Sequence, residues 1–591
     1  MLRVYFFLYC CFMVVKGYED SFHEELLLKK LTNDEVYAYF QFTTLWRTPI
    51  DNDTFEHCHL FPRSLGAILG LYNVQEFHIT LTQGLWRHQN WGYPVIDAPP
   101  GAELWVWFKP DTENVENQWK LFAGALSGLL CASLNFIETS NSMSPQLSFR
   151  PTGMVDISKP VNSSYLRYAT LPREIVCTEN LTPWKKLLPC DSKKGLSTLL
   201  NAGYIHNTNY HSLGLHFRTI SASKTVGEPV VELKQTVSLV YDLSTVNPIN
   251  NDWSVRKLFG SGIGPGCSLA SSSFIYVDLS SNETGAPFQL TPEPDSVVHS
   301  SRDGHNSTFA VYDISSVNKL FNINAAFGKV LKVSSISPPP LHVNRYIAGY
   351  GQERGRIVSR IHNELYSPLT IIYLENIPWF MPIYYHTLKI VANGKLIEPL
   401  QRRYHPGKER LKPYYLELVL QIPARTATEI LIEFDYVFLK WQEYPPDANH
   451  GFYVGSSIIT CLLFAPPNSS GLPPEASLIS DFWNTSQQGY LAQLRTESLI
   501  VTLPTPDFSM PYNVICLACT VVALAFGPLH NITTKRLLLT NLDKEPRGIN
   551  AFLKKHIFQR IMSVKNIFKA PSVIVASQDQ SEATTVVTKD S

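Results

Sequence analysis

The feature that most constrains this chain of 591 residues is an apolar run near its C-terminus. The run extends from Val514 to Leu529, and with the residues just before it about 19 consecutive positions carry no charge. This is close to the ~20 residues that a helix needs to cross a bilayer, and it suits a thin membrane such as the endoplasmic reticulum. We therefore predict a transmembrane helix at 513–531, with a buried core helix as the alternative.

The charges on either side of this run predict its orientation. Nine lysine or arginine residues lie between Lys535 and Lys569, opposed only by Asp543 and Glu545. The segment from Leu499 to Tyr512 has no basic residue. Because basic residues are retained on the cytosolic side, we predict a type I membrane protein with a cytosolic basic tail at 532–591. Almost all of the remaining chain would then lie in the lumen.

The N-terminus predicts entry into the secretory pathway. Arg3 precedes an apolar run from Val4 to Val15, which is too short to span a bilayer, and residues 1–17 read as a signal peptide. Seven N-x-S/T sequons before the apolar run agree with export. These N-glycosylation candidates are Asn52, Asn162, Asn180, Asn282, Asn306, Asn468 and Asn484.

Composition excludes some classes of protein. Charged residues make up only 17% of the chain, against roughly 25% in ordinary soluble proteins, and aromatic residues make up 12%. Such a chain can bury a large core and has no compositional reason for disorder. The net charge is zero, so no overall field favours binding of a polyanion, and we expect no nucleic-acid partner.

Alternation of apolar and polar residues dominates the predicted luminal part and indicates half-buried β-strands. One example places Val36, Ala38, Phe40 and Phe42 on the buried side and Tyr37, Tyr39 and Gln41 on the other. We predict a mainly β fold of luminal sandwich-like domains with a few helices. Further strands are predicted at Phe77–Leu81, Leu104–Phe108, Val231–Leu243, Phe274–Leu279, Phe309–Ile314, Thr370–Leu374, Tyr415–Ile422 and Ile430–Tyr436.

Helical spacing predicts one clear luminal helix, at Trp119–Ile137, whose apolar face includes Leu126, Leu130 and Leu134. A proline-rich stretch at Ser334–Pro340 marks the expected domain boundary. This divides the lumen into an N-terminal β-rich domain at 18–335 and a C-terminal β-sandwich domain at 341–508.

The search for catalytic motifs is negative, and we expect no catalytic residue, cofactor or metal site. The glycine-rich stretch Gly260–Gly266 is not followed by a helical pattern, so we interpret it as a turn rather than a phosphate site. The triplet His57-Cys58-His59 has no matching partner pair, which favours a structural role.

Six cysteines are expected in the oxidising lumen, too few to hold nearly 500 residues together. Cys177 and Cys190 flank a polar segment, and either a local bridge between them or a bond from one of them to another chain would fit. Cys131 lies on the apolar helix and is expected to be a buried free thiol. The remaining three, whose pairing stays open, are Cys58, Cys267 and Cys461.

Several uncommon strings resemble the PIG-T family, the non-catalytic subunit of the GPI transamidase. The strings are LTQGLWR at Leu81–Arg87, GAELWVWF at Gly101–Phe108, VCTENLTPWKKLLPC at Val176–Cys190, NHGFYV at Asn449–Val454 and LPTPDFSMPYNVICL at Leu503–Leu517. The resemblance extends from shortly after the signal peptide to the predicted span, and the tail after Asn531 does not share it.

The resemblance implies a scaffold in the endoplasmic reticulum membrane that contributes no catalytic group. It implies a disulfide from Cys177 to the caspase-like catalytic subunit PIG-K, with Cys190 as a candidate second structural cysteine. Further implied partners are PIG-S, PIG-U and a GPAA-type subunit, and the complex acts on precursor proteins and a GPI glycolipid. Two other functions stay open from the residues, a membrane-anchored luminal hydrolase and a cell-surface adhesion receptor built of sandwiches.

Overall fold

The structure is a computed structural model. It describes residues 20–31, 35–47, 59–151, 162–190, 194–220, 230–246, 252–279, 288–302, 305–317, 319–327, 339–350, 354–445, 447–463, 490–505, 509–535, 553, 555–560 and 562. The predicted signal peptide and most of the predicted cytosolic tail lie outside these residues. Contacts divide the chain into two units, Met1–Pro506 and Asp507–Ser591.

The first half of the chain forms one large sheet of eleven strands. The strands are β1 Ser21–Lys30, β2 Glu35–Arg47, β3 Val74–Gln83, β4 Gly101–Phe108, β5 Ser142–Met143, β6 Leu166–Leu171, β7 Tyr210–Ile220, β8 Val230–Asp242, β10 Ser272–Asp278, β12 Ser296–Arg302 and β13 His305–Asp313. Their spatial order is β12-β13-β10-β1-β2-β8-β7-β3-β4-β6-β5; only β1 and β10 pair in parallel, and all other neighbours are antiparallel. A small second sheet contains β9 Trp253–Ser254, β11 Phe288–Thr291 and β14 Asn324–Phe327.

Helices cover one face of the large sheet. Phe122 and Trp184 are buried, and their rings pack against Phe77 and Phe42 of the sheet with centroids 5.6 and 6.3 Å apart. The helices of this half are α1 Arg63–Leu71, α2 His88–Trp91, α3 Val115–Leu130, α4 Thr178–Lys185, α5 Ala202–Ile205, α6 Leu243–Val246 and α7 Val255–Phe259. The 3-10 turns are Leu134–Phe136, Ser163–Tyr165 and Gly195–Leu199.

The other face of the sheet is also buried, which corrects the expectation of half-buried strands at β2. Tyr37, Tyr39 and Gln41, predicted to face away from the core, are at most 3% exposed. The segment carrying Trp86 and Trp91 covers them, with the Trp86 ring 5.1 Å from that of Tyr37. A second apolar layer therefore occupies the face that alternation assigned to solvent.

The predicted helix at Trp119–Ile137 is shorter than expected at its C-terminal end, because α3 stops at Leu130. Cys131 follows in a left-handed conformation with φ of 51°, and the chain continues into a 3-10 turn. Leu134 and Ile137 are still buried, so the apolar spacing predicts their burial correctly although they lie beyond the end of the α-helix. Cys131 itself is exposed, and the expectation of a buried thiol is wrong.

Two five-stranded sheets form the sandwich in the second half, in the orders β15-β16-β22-β18-β19 and β20-β21-β17-β24-β25. Their strands are β15 Leu341–Tyr350, β16 Arg354–Asn363, β17 Leu369–Ile377, β18 Ile383–Ala392, β19 Lys395–Leu396, β20 Gln401–His405, β21 Tyr414–Ile422, β22 Thr426–Asp435, β24 Ile458–Leu463 and β25 Tyr490–Arg495. A ribbon joins β23 Phe452–Val454 to β26 Leu499–Val501, and 3-10 turns lie at Trp441–Glu443 and Ala448–His450. The mainly β prediction is confirmed.

The inner faces of the two sheets meet through polar as well as apolar contacts. The Arg345 guanidinium of β15 pairs with the Glu375 carboxylate of β17, and both side chains are at most 1% exposed. The Ser359 and Tyr373 hydroxyl groups, from opposite sheets, lie 2.7 Å apart. On β22 the alternation of buried and partly exposed residues follows the prediction.

The expected boundary near residue 335 stays a prediction. Residues 328–338 lie outside the described part of the chain, and no described strand is shared between the sheets before and after them. Buried contacts nevertheless connect the two regions. The Glu417 carboxylate of the sandwich accepts hydrogen bonds from the backbone of Gln146, Leu147 and Ser148, at 2.8 to 3.0 Å.

The second unit contains the predicted apolar helix. This helix, α8 Ser509–Thr534, is longer at both ends than the 513–531 expected from the sequence. Its part from Tyr512 to Thr534 is long and apolar enough to cross a membrane, and it is the only such helix among the described residues.

A buried carboxyl group in β1 leads to a prediction about pH. Glu24 is fully buried, and its Oε1 atom has no hydrogen-bond partner among the described residues. Burial raises the pKa of Glu24 to about 7, although hydrogen bonds from Ser273 and Leu196 oppose the shift. Between about pH 4.5 and pH 7, Glu24 therefore keeps its proton in the folded chain but loses it in the unfolded chain. The free energy of unfolding consequently decreases as the pH rises through this range.

We expect Glu24→Gln to increase the free energy of unfolding at pH 7.5 by about 2–3 kcal/mol, with little change at pH 4.5. Urea unfolding of the full chain at both pH values measures this difference. Glu398→Gln, at an exposed position, is the matched control. An equal effect of Glu24→Gln at the two pH values would contradict the assignment.

Candidate functional site

The candidate site is centred on Cys177, the residue that precedes α4. Its backbone is extended, with φ of −137°, and its N–H group donates to the Asn180 side-chain oxygen at 2.9 Å. Such a bond satisfies a backbone donor at the start of a helix. The thiol is free and half-buried, with its Sγ 3.6 Å from the same Asn180 oxygen.

Asn180 also connects this segment to the end of α3. Its side-chain NH2 group donates to the backbone carbonyl groups of Leu130 and Cys131, at 3.2 and 2.8 Å. These carbonyl groups lie at the C-terminus of α3, where the helix supplies no partner for them. One buried amide therefore holds the end of α3 and the start of α4 together, and it positions Cys177 between them.

Trp184 anchors the other end of α4 in the core. The side chain is 1% exposed, and its indole N–H donates to the Gly214 carbonyl of β7 at 2.9 Å. Leu181 is buried on the same helix. Because both ends of α4 are fixed, Cys177 is held on a rigid part of the fold rather than on a free loop.

Two exposed apolar side chains lie on the segment before Cys177 and on a segment bonded to it. Ile175 is 73% exposed and Phe136 is 67% exposed, although both are large and apolar. Their segments are joined by the Glu174 carboxylate, which accepts a hydrogen bond from the Ser133 N–H at 2.8 Å. Apolar surface beside an accessible thiol is typical of a protein interface.

Histidines behind this segment are neutral at physiological pH. Burial, and secondly the neighbouring His206, lower the pKa of His211 to about 4, while a hydrogen bond with the Val176 backbone opposes the shift. His211 therefore adds no positive charge beside the segment that carries Cys177.

The structure pairs Cys190 with Cys267. The two Cα atoms are 6.0 Å apart, and 77 positions separate the residues in the sequence. The alternative of a local bridge between Cys177 and Cys190 is therefore not formed. Among the described residues of the first unit, Cys131 and Cys177 are free cysteines, the first exposed and the second half-buried, and Cys461 is buried in β24. Cys58 lies outside the described residues.

The other predicted features are distributed over the fold. Gly260 ends α7 with φ of 79°, and no helix follows Gly266 directly, in agreement with a turn. Trp86, from the first family-like string, belongs with Trp91 to the covered face of the large sheet. The sequons Asn52, Asn282, Asn468 and Asn484 lie outside the described residues, and Asn306 lies in β13.

The structure argues against one predicted glycosylation site and accommodates another. Asn180 is 1% exposed and its NH2 group donates two hydrogen bonds, so a glycan there would be incompatible with this buried arrangement. Asn162 is exposed, and its side-chain oxygen caps a 3-10 turn at the Ser164 N–H.

We expect Asn180 to be unmodified in the mature protein and Asn162 to be available for modification. Enzymatic deglycosylation in heavy-oxygen water, followed by peptide mass spectrometry, distinguishes the two because only a glycosylated asparagine becomes labelled aspartate. Label at Asn180 would contradict the buried arrangement of this side chain.

A histidine–carboxylate pair, the arrangement that activates nucleophiles in hydrolases, exists between His88 and Asp97, at 3.1 Å. Both residues are buried, and within the described ranges no hydroxyl or thiol group is hydrogen-bonded to the His88 ring. The same Asp97 carboxylate accepts the Arg495 N–H at 2.6 Å. The pair therefore contributes to the contact between the large sheet and the sandwich.

The described residues thus define a mainly β protein with one candidate membrane-crossing helix and an accessible, rigidly held thiol. The family model described as the Gpi16 subunit, GPI transamidase component, matches residues 6–251 and 245–562. The chain belongs to this family.

Named relatives agree with the family match. The human GPI-anchor transamidase component PIGT is 40% identical over 554 residues, covering 90% of this chain and 95% of the relative. The GPI transamidase component GPI16 of Saccharomyces cerevisiae is 30% identical over 581 residues, covering 88% and 90%. Among solved structures, the collagen adhesin from S. aureus aligns at 8% identity with a TM-score of 0.16, values too low to indicate a shared fold.

Proposed function

We propose that this chain is the non-catalytic scaffold subunit of a GPI transamidase in the endoplasmic reticulum membrane. In this proposal Cys177 forms a disulfide with the caspase-like catalytic subunit, PIG-K. The other partners are PIG-S, PIG-U and a GPAA-type subunit. The complex attaches a GPI glycolipid to precursor proteins, and nucleic acid has no part in it.

The state of Cys177 is the observation that carries the proposal. This thiol is free and half-buried at the start of a rigid helix, whereas Cys190, its nearest candidate partner in the sequence, is already bonded to Cys267. In an oxidising compartment such a thiol is available for a bond to another chain. The apolar side chains of Ile175 and Phe136 add surface that a partner could cover.

The proposed disulfide from Cys177 would keep the catalytic subunit bound to the scaffold. The transamidation needs a thiolate that attacks the precursor, followed by aminolysis of the thioester with water excluded. A covalent link keeps the subunit that supplies this thiolate at an effective concentration of order mM, so it does not diffuse away between turnovers. The scaffold then positions and retains the catalytic subunit and contributes no reacting group.

The proposed location follows from the charges on either side of α8. The basic residues after α8 favour a cytosolic tail, and the preceding β-rich unit would then lie in the lumen. In this proposal, retention in the endoplasmic reticulum comes from assembly with the other subunits of the complex.

Affinity purification of the full chain from detergent, with identification of its partners, tests the proposal. We expect a caspase-like subunit and further membrane subunits to copurify, and the glycans to remain sensitive to endoglycosidase. Purification without such subunits would overturn the proposal. Hydrolysis of an ester or peptide by the purified chain would favour the hydrolase, and complex-type glycans with residence at the plasma membrane would favour the receptor.

A further inference from the structure

Three side chains of metal-binding type share one face at the start of the sandwich. His342 on β15 and His362 on β16 lie directly opposite each other in the antiparallel register. Glu364 follows two positions after His362, and its backbone N–H still bonds across to Pro340 at 2.8 Å. Because alternate residues of a strand and opposite residues of a pair face the same side, these three side chains converge.

The donor atoms are close, and one ring nitrogen of His342 has no hydrogen-bond partner among the described residues. One donor atom from each residue lies within 4.8 Å of the other two. His342 is 6% exposed, and its buried Nδ1 atom has no hydrogen-bond partner among the described residues. Buried polar atoms are nearly always paired, so this nitrogen requires an explanation.

We propose that His342, His362 and Glu364 bind one Zn²⁺ ion. Two imidazole groups and one carboxylate are an established zinc donor set, whereas calcium and magnesium prefer oxygen donors throughout. Zinc–ligand distances of about 2.0–2.1 Å require tetrahedral donors about 3.3 Å apart, so the donor atoms need to approach one another by at most about 1.5 Å.

Closure requires a rotation of the histidine rings. The two rings are stacked, with centroids 4.5 Å apart and planes inclined by 7°. Parallel rings cannot point both lone pairs at one ion, so at least one imidazole turns out of the stack when zinc binds. Neither His362 nor Glu364 is fully buried, which leaves room for this adjustment.

The competing partner of Glu364 is weak. Its carboxylate lies 3.5 Å from the Arg425 guanidinium, and the two side chains are 33% and 50% exposed. Exposed pairs of this kind contribute little, and the Arg425 group also lies 4.1 Å above the Tyr366 ring. The carboxylate can therefore exchange this contact for the metal.

The position of the site indicates a structural crosslink with water in the fourth coordination position. His342 follows Leu341, whose backbone N–H and carbonyl both bond to the Tyr93 hydroxyl at 2.9 and 2.7 Å. Tyr93 lies in the segment that connects α2, which carries His88, to β4. A bound ion would join β15 to β16 at the point where the chain enters the sandwich, beside its contact with the large sheet.

Zinc binding to the full chain in detergent tests the inference. The protein is stripped with a chelator, equilibrated with Zn²⁺ and analysed for metal content, affinity and thermal unfolding. We expect one Zn²⁺ equivalent that is lost, or bound at least tenfold more weakly, in His362→Gln and in Glu364→Gln. Substitution with Co²⁺ should give the visible absorption of a tetrahedral complex.

His386→Gln, at an exposed histidine of the same sheet, is the matched control. It should retain the equivalent and the zinc-dependent rise in unfolding temperature, and both should be absent in His362→Gln. The inference is overturned if the wild type binds no zinc, or if His362→Gln and Glu364→Gln bind as His386→Gln does. His362 and Glu364 are partly exposed, so these variants avoid the folding risk of replacing His342. The result is independent of the proposed role of Cys177.

Discussion

Replacing Cys177 with serine is expected to remove completely any disulfide-linked species that contains this chain. In non-reducing gels the proposed scaffold should migrate heavier by one caspase-like subunit and return to its own mass in the variant. The fold should be retained, because serine keeps the backbone N–H bond to Asn180 and its hydroxyl can replace the contact of the thiol with the same oxygen. We therefore expect the unfolding temperature to be unchanged and the partner to be lost more readily on washing.

Two other cysteines provide matched controls for this experiment. Cys131→Ser changes an exposed thiol on a residue whose backbone carbonyl accepts a hydrogen bond from Asn180. Cys461→Ser changes a buried thiol. Both variants should retain the heavier species. If it persists in Cys177→Ser, the proposed tether is wrong. If it disappears only in Cys131→Ser, the neighbouring thiol forms the bond.

The second large effect is expected at Arg495, where the sandwich meets the large sheet. Its guanidinium lies 2.8 Å from the Glu103 carboxylate, with side chains 7% and 2% exposed. Tyr168 donates to the same carboxylate at 3.2 Å. We expect Arg495→Ala to lower the free energy of unfolding by about 3–5 kcal/mol, because it leaves the Glu103 charge buried without its partner.

An exposed arginine–glutamate pair separates this effect from general loss of charge. Arg356 lies 2.7 Å from Glu433, but the two side chains are 56% and 30% exposed. Arg356→Ala should therefore cost about 1 kcal/mol or less in the same urea titration. Equal destabilisation by the two substitutions would contradict the importance of burial. Replacing Glu103 with leucine in the Arg495→Ala background should recover part of the loss, since no unpaired charge then remains.

Alternation located most strands closely. The predicted strand at Tyr415–Ile422 is observed at Tyr414–Ile422, and the one at Val231–Leu243 is observed at Val230–Asp242. Strand boundaries depend on local side-chain spacing and on turns, and both are visible in the sequence. Whether the second face of a strand is covered depends on a distant segment, which is why Tyr37 and Tyr39 were assigned to the wrong environment.

The helix error has a related cause. Leu134 and Ile137 continue the apolar spacing of α3, so pattern alone extends the helix to them. The chain instead leaves helical geometry at Cys131, and Asn180, 49 positions further on, satisfies the released carbonyl groups. The apolar spacing therefore predicts which residues are buried but not where the helical hydrogen bonds end.

Local order of residues was sufficient to find the mainly β class, the apolar helix and the family strings around Cys177, because each depends on neighbours a few positions apart. Contacts over long separations decided the rest. They selected Cys267 as the partner of Cys190, buried Asn180 despite its sequon, and placed Arg495 on Glu103. They also brought His342 opposite His362, a pair that becomes visible only when strand register sets which distant side chains share a face.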